Sequence, residues 1–187
     1  MLSCLAGLVA MFGAPAPTQN VTPVALRVMT YNIQYGGGDI ERTSAVIRAA
    51  GPDLVALQEV DVHWGARSEF VDQASRLAER LGMQVRFAPI YRLPGADSAS
   101  PSREFGVALR SRHQGTSFTN RLLARLRDSW PVAAGPGFTY PAVEPTERID
   151  YVLLSPQFRV VAARVSDTKA SDHRSVVVDV ILASPRR

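Results

Sequence analysis

The sequence PDLVALQEV, residues 52–60, joins a turn, a short apolar run and a polar ending. Its apolar part, Leu54–Leu57, lies between Gly51-Pro52 and the polar pair Gln58-Glu59, a pattern typical of a buried strand. A carboxylate beside a buried strand is energetically expensive unless a positive group pairs with it. The stretch therefore predicts a core strand that carries Glu59 to its end, where Glu59 is a candidate for function.

Helix and strand signals alternate on both sides of this stretch. Asp39 is placed to cap a helix over Ile40–Ala50, and an apolar stripe predicts a second helix over Phe70–Leu81, closed by Gly82. A third, short helix, capped by Thr119 or Asn120, would carry Leu122, Leu123 and Leu126. The other predicted strands are Leu26–Asn32, Val85–Ile90, Phe105–Leu109, Ile149–Leu154, Val160–Val165 and Val176–Leu182. This order indicates an α+β or α/β fold, with a sandwich of sheets flanked by helices.

Polar side chains fall at the ends of several of these apolar strands. Asn32 ends the first, Glu59 ends the second, Asp150 lies inside a late strand, and Asp172-His173 precedes the last. If these ends meet, their oxygens suit a hard cation such as Mg²⁺, and a carboxylate beside a histidine suits acid–base or phosphate-binding chemistry. Each residue alone has a plainer interpretation, because strand-end asparagines are usually turn residues and exposed carboxylates are usually solvated.

Five segments, taken together and in order, resemble the endonuclease/exonuclease/phosphatase superfamily, whose fold is that of deoxyribonuclease I. They are Leu26–Ile33, Pro52–Val60, Phe105–Arg112, Phe138–Pro141 with Arg148–Val152, and Ser171–His173. The segment over residues 52–60 is the most specific of the five. The resemblance implies a four-layer αββα sandwich and a metal-dependent hydrolase of phosphate esters.

The resemblance also implies a metal site that holds Mg²⁺ or Mn²⁺. Glu59 would be the principal ligand, with Asn32 beside it, and Asp172 would touch the metal or its water. Catalysis would use the metal to neutralise charge on the phosphate oxygens and to hold the attacking water in line.

The remaining site roles implied by the resemblance concern the substrate. His173 would contact the scissile phosphate, Asp150 would orient His173, and Asp172 would complete the catalytic group. Asn32 and Arg148 would join His173 in binding the substrate. The substrate class is open among nucleic acids, nucleotides, phospholipids and inositol phosphates, since the loops over Tyr91–Ser102 and Trp130–Glu147 would decide it.

Two motifs of the superfamily are missing from the chain. The Thr-His-Leu strand and the Gly-Asp-Phe-Asn strand would lie between Arg112 and Phe138, and none of the asparagines or histidines fits them: Asn20, Asn32, Asn120, His63, His113 and His173. The domain over residues 24–184 is therefore expected to be truncated internally between about residues 113 and 119. Reduced activity follows, and the alternative is an impaired remnant that only binds a phosphate ligand or a partner. Sheet edges opened by the deletion invite dimerisation.

Composition narrows the class of protein. Hydrophobic residues make up 46% of the chain and charged residues 20%, which indicates a globular domain rather than a disordered segment. The net charge of +4 fits a partner that carries phosphate, although the excess is nearly all arginine and fits genome composition as well. Basic residues do not alternate with aromatic ones, so a plain nucleic-acid-binding module has little support.

The N-terminal residues 1–23 are predicted to be a signal peptide or a disordered tail. The apolar run Leu2–Ala14 is followed by prolines and polar residues, as at the exit of a secretory signal, and it is too short to span a membrane. We expect a secreted or cell-envelope protein, or a cytoplasmic one if the run is not a signal. Cys4 is the only cysteine, which excludes an intrachain disulfide and a cysteine zinc site.

Overall fold

The computed structural model describes residues 23–35, 39–111, 126–130, 133 and 135–182. Residues 1–22 of the predicted N-terminal segment, Leu122 and Leu123 of the predicted third helix, and His113 lie outside these residues. Leu126, which that helix was expected to carry, is described and is not helical. In chain order, the described elements are β1 (Val24–Asn32), α1 (Ile40–Ala50), β2 (Leu54–Val62), a 3-10 turn (Ala66–Ser68), α2 (Gln73–Leu81), β3 (Gln84–Leu93), β4 (Arg103–Ser111), β5 (Arg127–Asp128), β6 (Leu153–Leu154), β7 (Phe158–Val165) and β8 (Val176–Leu182).

Six strands form one mixed sheet in the order β3-β4-β2-β1-β8-β7. The pair β1 and β2 is parallel, with Asn32 opposite Gln58 at the shared end, and the other four pairs are antiparallel. Strands β5 and β6 form a second, two-stranded sheet. The long sheet is therefore built around one parallel pair.

Helices α1 and α2 cover one face of the long sheet. Side chains alternate between the two faces of a strand, so every second residue of β1 and β2 points toward the helices. Most of the fully buried residues of this core come from β1, β2, α1 and α2, and they include Met29, Tyr31, Val55, Leu57, Ile47 and Leu77, with Val177 of β8 beside them. This core holds the ends of β1 and β2 rigidly. The polar residues Asn32 and Glu59 lie toward those ends and are therefore held in place.

A second core lies on the opposite face of the sheet. Val176, Val178 and Val180 of β8 are buried there against Val152 and Leu154, in and next to β6. The predicted α+β sandwich of two sheets flanked by helices is thus confirmed. The outer helical layer expected beyond the second sheet falls on residues that the structure does not describe.

Local signals set the boundaries of the first helix. The Asp39 side chain accepts a hydrogen bond from the Arg42 backbone N–H, and Gly51 ends the helix in the left-handed conformation at φ 60°. The predicted helix over residues 40–50 is confirmed residue for residue.

The second helix begins later than predicted. Phe70 has φ 54° and is 58% exposed, so it cannot belong to a right-handed helix that buries an apolar stripe. Asp72 instead caps the helix by accepting from the Ser75 backbone N–H, and Gln73 is the first helical residue. The early start was wrong because Phe70 and Val71 continue the apolar spacing into a turn.

The late strands differ most from the prediction. The strand expected over Ile149–Leu154 is reduced to Leu153–Leu154, and the chain before it has no strand conformation. There Asp150 turns to His173 and Arg148 turns to Asp128, so side-chain contacts fix this segment instead of a ladder. Strand β5 was not predicted, since two residues give no periodic signal.

A cross-strand ion pair reinforces the sheet between β1 and β8. Arg27 and Asp179 face each other in register, and Arg27 Nε donates to Asp179 Oδ1 at 2.6 Å. Arg27 also donates through Nη1 to the carbonyl oxygen of Ala50 at the end of α1. The hydrogen bond from Arg27 lowers the pKa of Asp179 below its ordinary value of 3.8.

No helix in the part of the chain that the structure describes is both long and apolar enough to cross a membrane.

Leu57→Ala is expected to lower the free energy of unfolding by about 3 kcal/mol, because it leaves a cavity in a fully buried site. Urea denaturation measures the change. Leu93→Ala is the matched control, since Leu93 is 41% exposed, and it should cost no more than about 0.5 kcal/mol. Equal losses for the two variants would contradict the described core.

Asp179→Asn is expected to destabilise the protein at neutral pH and to matter less in acid. A carboxyl whose pKa is lowered on folding contributes stability above its unfolded value, and this contribution is lost as the pH falls through the folded value. The gap in unfolding free energy between wild type and variant should therefore be constant above the ordinary value of 3.8 and shrink as the pH falls below it. Urea melts over a pH series measure it, and a gap that stays constant below that value would contradict the role of the Arg27 pair.

Candidate functional site

The topology of the long sheet brings three strand ends to one edge. Because β1 and β2 run parallel, Asn32 and Glu59 lie at the same edge. Strand β8 is antiparallel to β1, and Val176 at its start pairs with Thr30, so His173 just before it reaches that edge too. The predicted convergence of Asn32, Glu59 and His173 is what the structure describes.

A β-bulge sets the direction of the Glu59 side chain. Leu57 pairs with Ala108 and Val60 pairs with Gly106, so Gln58 and Glu59 together stand opposite Val107. Glu59 takes a left-handed backbone conformation, at φ 56°. Bulges re-aim side chains and recur beside active sites. The sequence analysis predicted that this strand ends at Glu59, whereas in the structure it continues to Val62.

A hydrogen-bonded chain runs through four of the predicted site residues. Asp150 Oδ2 lies 2.8 Å from His173 Nδ1, His173 Nε2 lies 3.5 Å from Asn32 Nδ2, and Asn32 Nδ2 donates to Glu59 Oε1 at 2.9 Å. The Asn32 amide is oriented by its other end, because Oδ1 accepts from the Gln34 backbone N–H at 2.9 Å. Its amide group thus serves both Glu59 and His173.

The order of donors along this chain fixes the histidine tautomer. The Asp150 carboxylate can only accept, so Nδ1 of His173 carries the proton in that contact. Nε2 is then left as an acceptor that faces the Asn32 amide. Asp150 and His173 are both only 9% exposed, so each supplies the hydrogen-bond partner that the buried polar group of the other requires.

Two neighbours that the sequence analysis did not single out hold His173 in place. The ring of Tyr140 packs against the imidazole, with ring centroids 4.9 Å apart. Ser171 Oγ donates to the Asn32 carbonyl oxygen at 2.8 Å and accepts from the His173 backbone N–H. Tyr140 belongs to the segment Phe138–Pro141, which carried the resemblance, but its contact with His173 could not be read from spacing.

The described contacts of the Arg148 side chain are made with residues outside this chain of contacts. Arg148 Nη2 lies 2.6 Å from both carboxylate oxygens of Asp128, and its guanidinium sits 4.5 Å from the ring centre of Tyr151. Arg148 is thus engaged by Asp128 in the second sheet, and its role in binding the substrate stays a prediction.

Asp172 is likewise not joined to Glu59 and His173. Its backbone carbonyl oxygen accepts from the Ala142 N–H, and its carboxylate lies 3.2 Å from Ser171 Oγ. On the core side it is close enough to Tyr31 to influence that hydroxyl: burial, and then the charge of Asp172, raise the pKa of Tyr31 to about 12. Its catalytic and metal-binding roles stay predictions.

The donor set at Glu59 fits a hard divalent cation that is bound mostly through substrate and water. Mg²⁺ is commonly held by one or two carboxylates together with waters and phosphate oxygens. Among the residues described, no group of three His, Cys, Asp or Glu side chains could hold a metal by itself. The Asn32 nitrogen, not its oxygen, faces Glu59, so as oriented Asn32 supports the carboxylate and adds no ligand oxygen.

His63, the other histidine that the structure describes, has no part in this arrangement. His63 Nδ1 lies 2.8 Å from the Phe70 carbonyl oxygen, which ties it to the loop before α2.

Comparison with known proteins gives one family and several similar structures. The model of the endonuclease/exonuclease/phosphatase family matches residues 29–131, more than half of the chain. This match includes the end of β1 and all of β2, and it ends before Tyr140, Asp150 and His173. No curated protein sequence is significantly similar.

Solved structures show the same fold at low sequence identity. An endonuclease/exonuclease/phosphatase from Beutenbergia cavernae has 22% identity and a TM-score of 0.65, over 85% of this chain and 72% of that one. A family protein from Leptotrichia buccalis has 14% identity and a TM-score of 0.59, over 82% and 98%. The human Nocturnin catalytic domain with bound sulfate has 18% identity and a TM-score of 0.54, over 83% and 93%.

Neutral His173 is expected to carry its proton on Nδ1, because the Asp150 carboxylate accepts there. Nitrogen NMR of ¹⁵N-labelled protein, at a pH where the ring is neutral, reads the tautomer directly. Asp150→Ala should admit the Nε2–H form, while His63, held by a backbone carbonyl, serves as the internal control and stays unchanged. A proton on Nε2 in the wild type would contradict the described order of donors.

Proposed function

Because the chain belongs to the endonuclease/exonuclease/phosphatase family, whose members are hydrolases of phosphate esters, we propose that it hydrolyses a phosphate ester with the help of Mg²⁺ or Mn²⁺ held at Glu59. The observation that carries the proposal is the unbroken chain of contacts Asp150–His173–Asn32–Glu59. It places a carboxylate suited to a cation and an imidazole suited to a phosphate on either side of one amide nitrogen, Asn32 Nδ2.

His173 acts on the phosphate end of the substrate. When it is protonated, the Asp150 carboxylate stabilises the imidazolium, and Nε2–H becomes a donor for a phosphate oxygen or for the leaving group. Tyr140 and Ser171 restrict the ring to one orientation, so this donor points to one place. Orientation of this kind is a large part of what an enzyme supplies.

Glu59 acts at the metal end of the site. A bound divalent ion supplies neutralisation of phosphate charge and activation of water. The bulge directs the carboxylate out of the ladder, and the Asn32 N–H occupies Oε1, so Glu59 meets a cation with a fixed rotamer. Asn32 also keeps the Glu59 and His173 side chains at a fixed separation, because its amide nitrogen contacts both.

Activity is proposed to be lower than that of a complete member of the family. The sequence contains no Gly-Asp-Phe-Asn motif, whose aspartate would position the attacking water. Loss of a positioned general base reduces rates by about 10²- to 10⁴-fold.

The second candidate function is phosphate binding without turnover. It is favoured by the missing Gly-Asp-Phe-Asn motif, since turnover needs the water that its aspartate would position. A pure binder would hold anions through His173 and basic side chains, with an affinity that falls as salt screens the charges and does not depend on metal.

Hydrolysis of bis(p-nitrophenyl) phosphate and of plasmid DNA, with Mg²⁺ or Mn²⁺ and with chelator, distinguishes the two functions. Chelator should abolish activity, and His173→Ala should reduce kcat by about 100-fold or more, since it removes the proton donor. Glu59→Gln, which keeps the size and removes the charge, should raise the metal concentration needed for activity.

Matched controls are His63→Ala and Glu79→Gln, which change a loop histidine and an exposed glutamate of α2. Both should keep wild-type rates. If wild type is as inactive as His173→Ala at every metal concentration, while phosphate still binds in chelator, the enzyme is ruled out and the binder remains.

A further inference from the structure

We propose that the edge of the sheet beside Glu59 binds a planar ring of the substrate, such as a nucleobase, so that the ester hydrolysed is a nucleotide or a single-stranded nucleic acid. The binding surface is an aromatic shelf formed by Tyr35, Trp64, Tyr91 and Phe105. The inference rests on the proposed function and gives it a substrate class.

The shelf is a continuation of the edge that carries the candidate site. Tyr35 follows the end of β1 and Trp64 follows the end of β2, the two strands that deliver Asn32 and Glu59. Phe105 lies at the start of β4, opposite Asp61 of β2, and Tyr91 of β3 pairs with Phe105. Since β4 is antiparallel to both β2 and β3, the four rings collect at the same edge.

The rings contact one another in the geometries that aromatic groups prefer. Trp64 and Phe105 have centroids 5.8 Å apart at 52°, and Tyr91 stacks on Phe105 at 6.3 Å and 27°. Tyr91 is the outermost ring and is 60% exposed, while the other three are half-buried. A cluster that served only as core would bury its last ring, whereas here one face of the stack is open.

Arg67 places a positive charge inside the shelf. Its guanidinium carbon lies 4.2 Å from the ring centre of Tyr35, and 5.5 and 5.6 Å from those of Phe105 and Trp64. It is anchored to fully buried Asp61 through Nε and Nη2 at 2.9 and 2.8 Å. Asp61 is two residues from Glu59 on the same strand, so the shelf and the carboxylate are linked by backbone.

This combination selects one ligand chemistry. Aromatic faces bind any base by stacking, and a guanidinium among them adds attraction for an electron-rich ring and for a phosphodiester. A phospholipid headgroup or an inositol phosphate offers no π face, so it would leave the open ring of Tyr91 in water. A nucleotide would place its phosphate at His173 and Glu59 and its base on the shelf.

Fluorescence of a single tryptophan tests the shelf without relying on turnover. The chain has two tryptophans, so Trp130→Phe leaves Trp64 as the only reporter. AMP and ribose 5-phosphate are titrated with Mg²⁺ present, and chromatography verifies that both ligands stay intact. AMP should quench Trp64 and bind about tenfold more tightly than ribose 5-phosphate, because only AMP carries a base to stack.

In the same background, Tyr91→Ala should remove most of the advantage of AMP and leave the affinity for ribose 5-phosphate unchanged. Phe105→Leu is the second variant, and it should weaken AMP binding in the same direction. Phe70→Ala is the matched control, because Phe70 is an aromatic residue 58% exposed that lies outside the shelf.

Equal affinity for AMP and ribose 5-phosphate, or an AMP advantage that survives both shelf variants, would overturn the inference. Neither result would touch the proposed function, which the His173→Ala and Glu59→Gln rates decide. Conversely, a base-dependent advantage lost in Tyr91→Ala would support the shelf even if the chain hydrolysed nothing.

Discussion

Parallel pairing of β1 with β2 is the constraint on which the rest of the structure depends. Parallel strands deliver their carboxyl ends to one edge, and here those ends carry Asn32 and Glu59. The apolar side chains of both strands are buried against α1 and α2, so the strand ends have little freedom to move. Once β8 adds on antiparallel to β1, the turn before it has to bring His173 to the same edge. The site is therefore a consequence of strand order.

How much of the structure the sequence predicts depends on how far along the chain each physical signal acts. Helix α1 and strand β8 were predicted residue for residue because capping and apolar runs are local. The bulge at Glu59 was missed, since it exists only in relation to β4. The strand over residues 149–154 was mostly wrong because a long-range side-chain contact between Asp150 and His173 holds this segment in place of a strand ladder. The contact of Tyr140 with His173 and the ring contacts of the aromatic shelf join residues that are far apart in the sequence. A single sequence does not encode such contacts in any periodic pattern.

The second sheet covers the long sheet unevenly. Strand β6 and its flanking residues cover Val176, Val178 and Val180, on the β8 side. On the same face at the other side, Val107 and Leu109 of β4 remain 37% and 42% exposed. Burial is the main source of stability, so this half of the sheet is held chiefly from the helix side. The expectation of association through open edges stays a prediction, with β3 and β7 as the two edge strands of the long sheet.

The end of β2 explains how one short segment can serve two purposes. The left-handed residue Glu59 turns its carboxylate toward Asn32, and Asp61, two residues on, is fully buried against Arg67. A buried carboxylate without a partner would be strongly destabilising, so Arg67 is fixed there by the need to compensate Asp61. Its position beneath the rings of Tyr35, Trp64 and Phe105 then follows. The same strand end thus presents the Glu59 carboxylate to the candidate metal site and uses the Asp61 carboxylate to hold Arg67 in the aromatic shelf. The candidate metal site and the shelf are therefore kept at a constant separation.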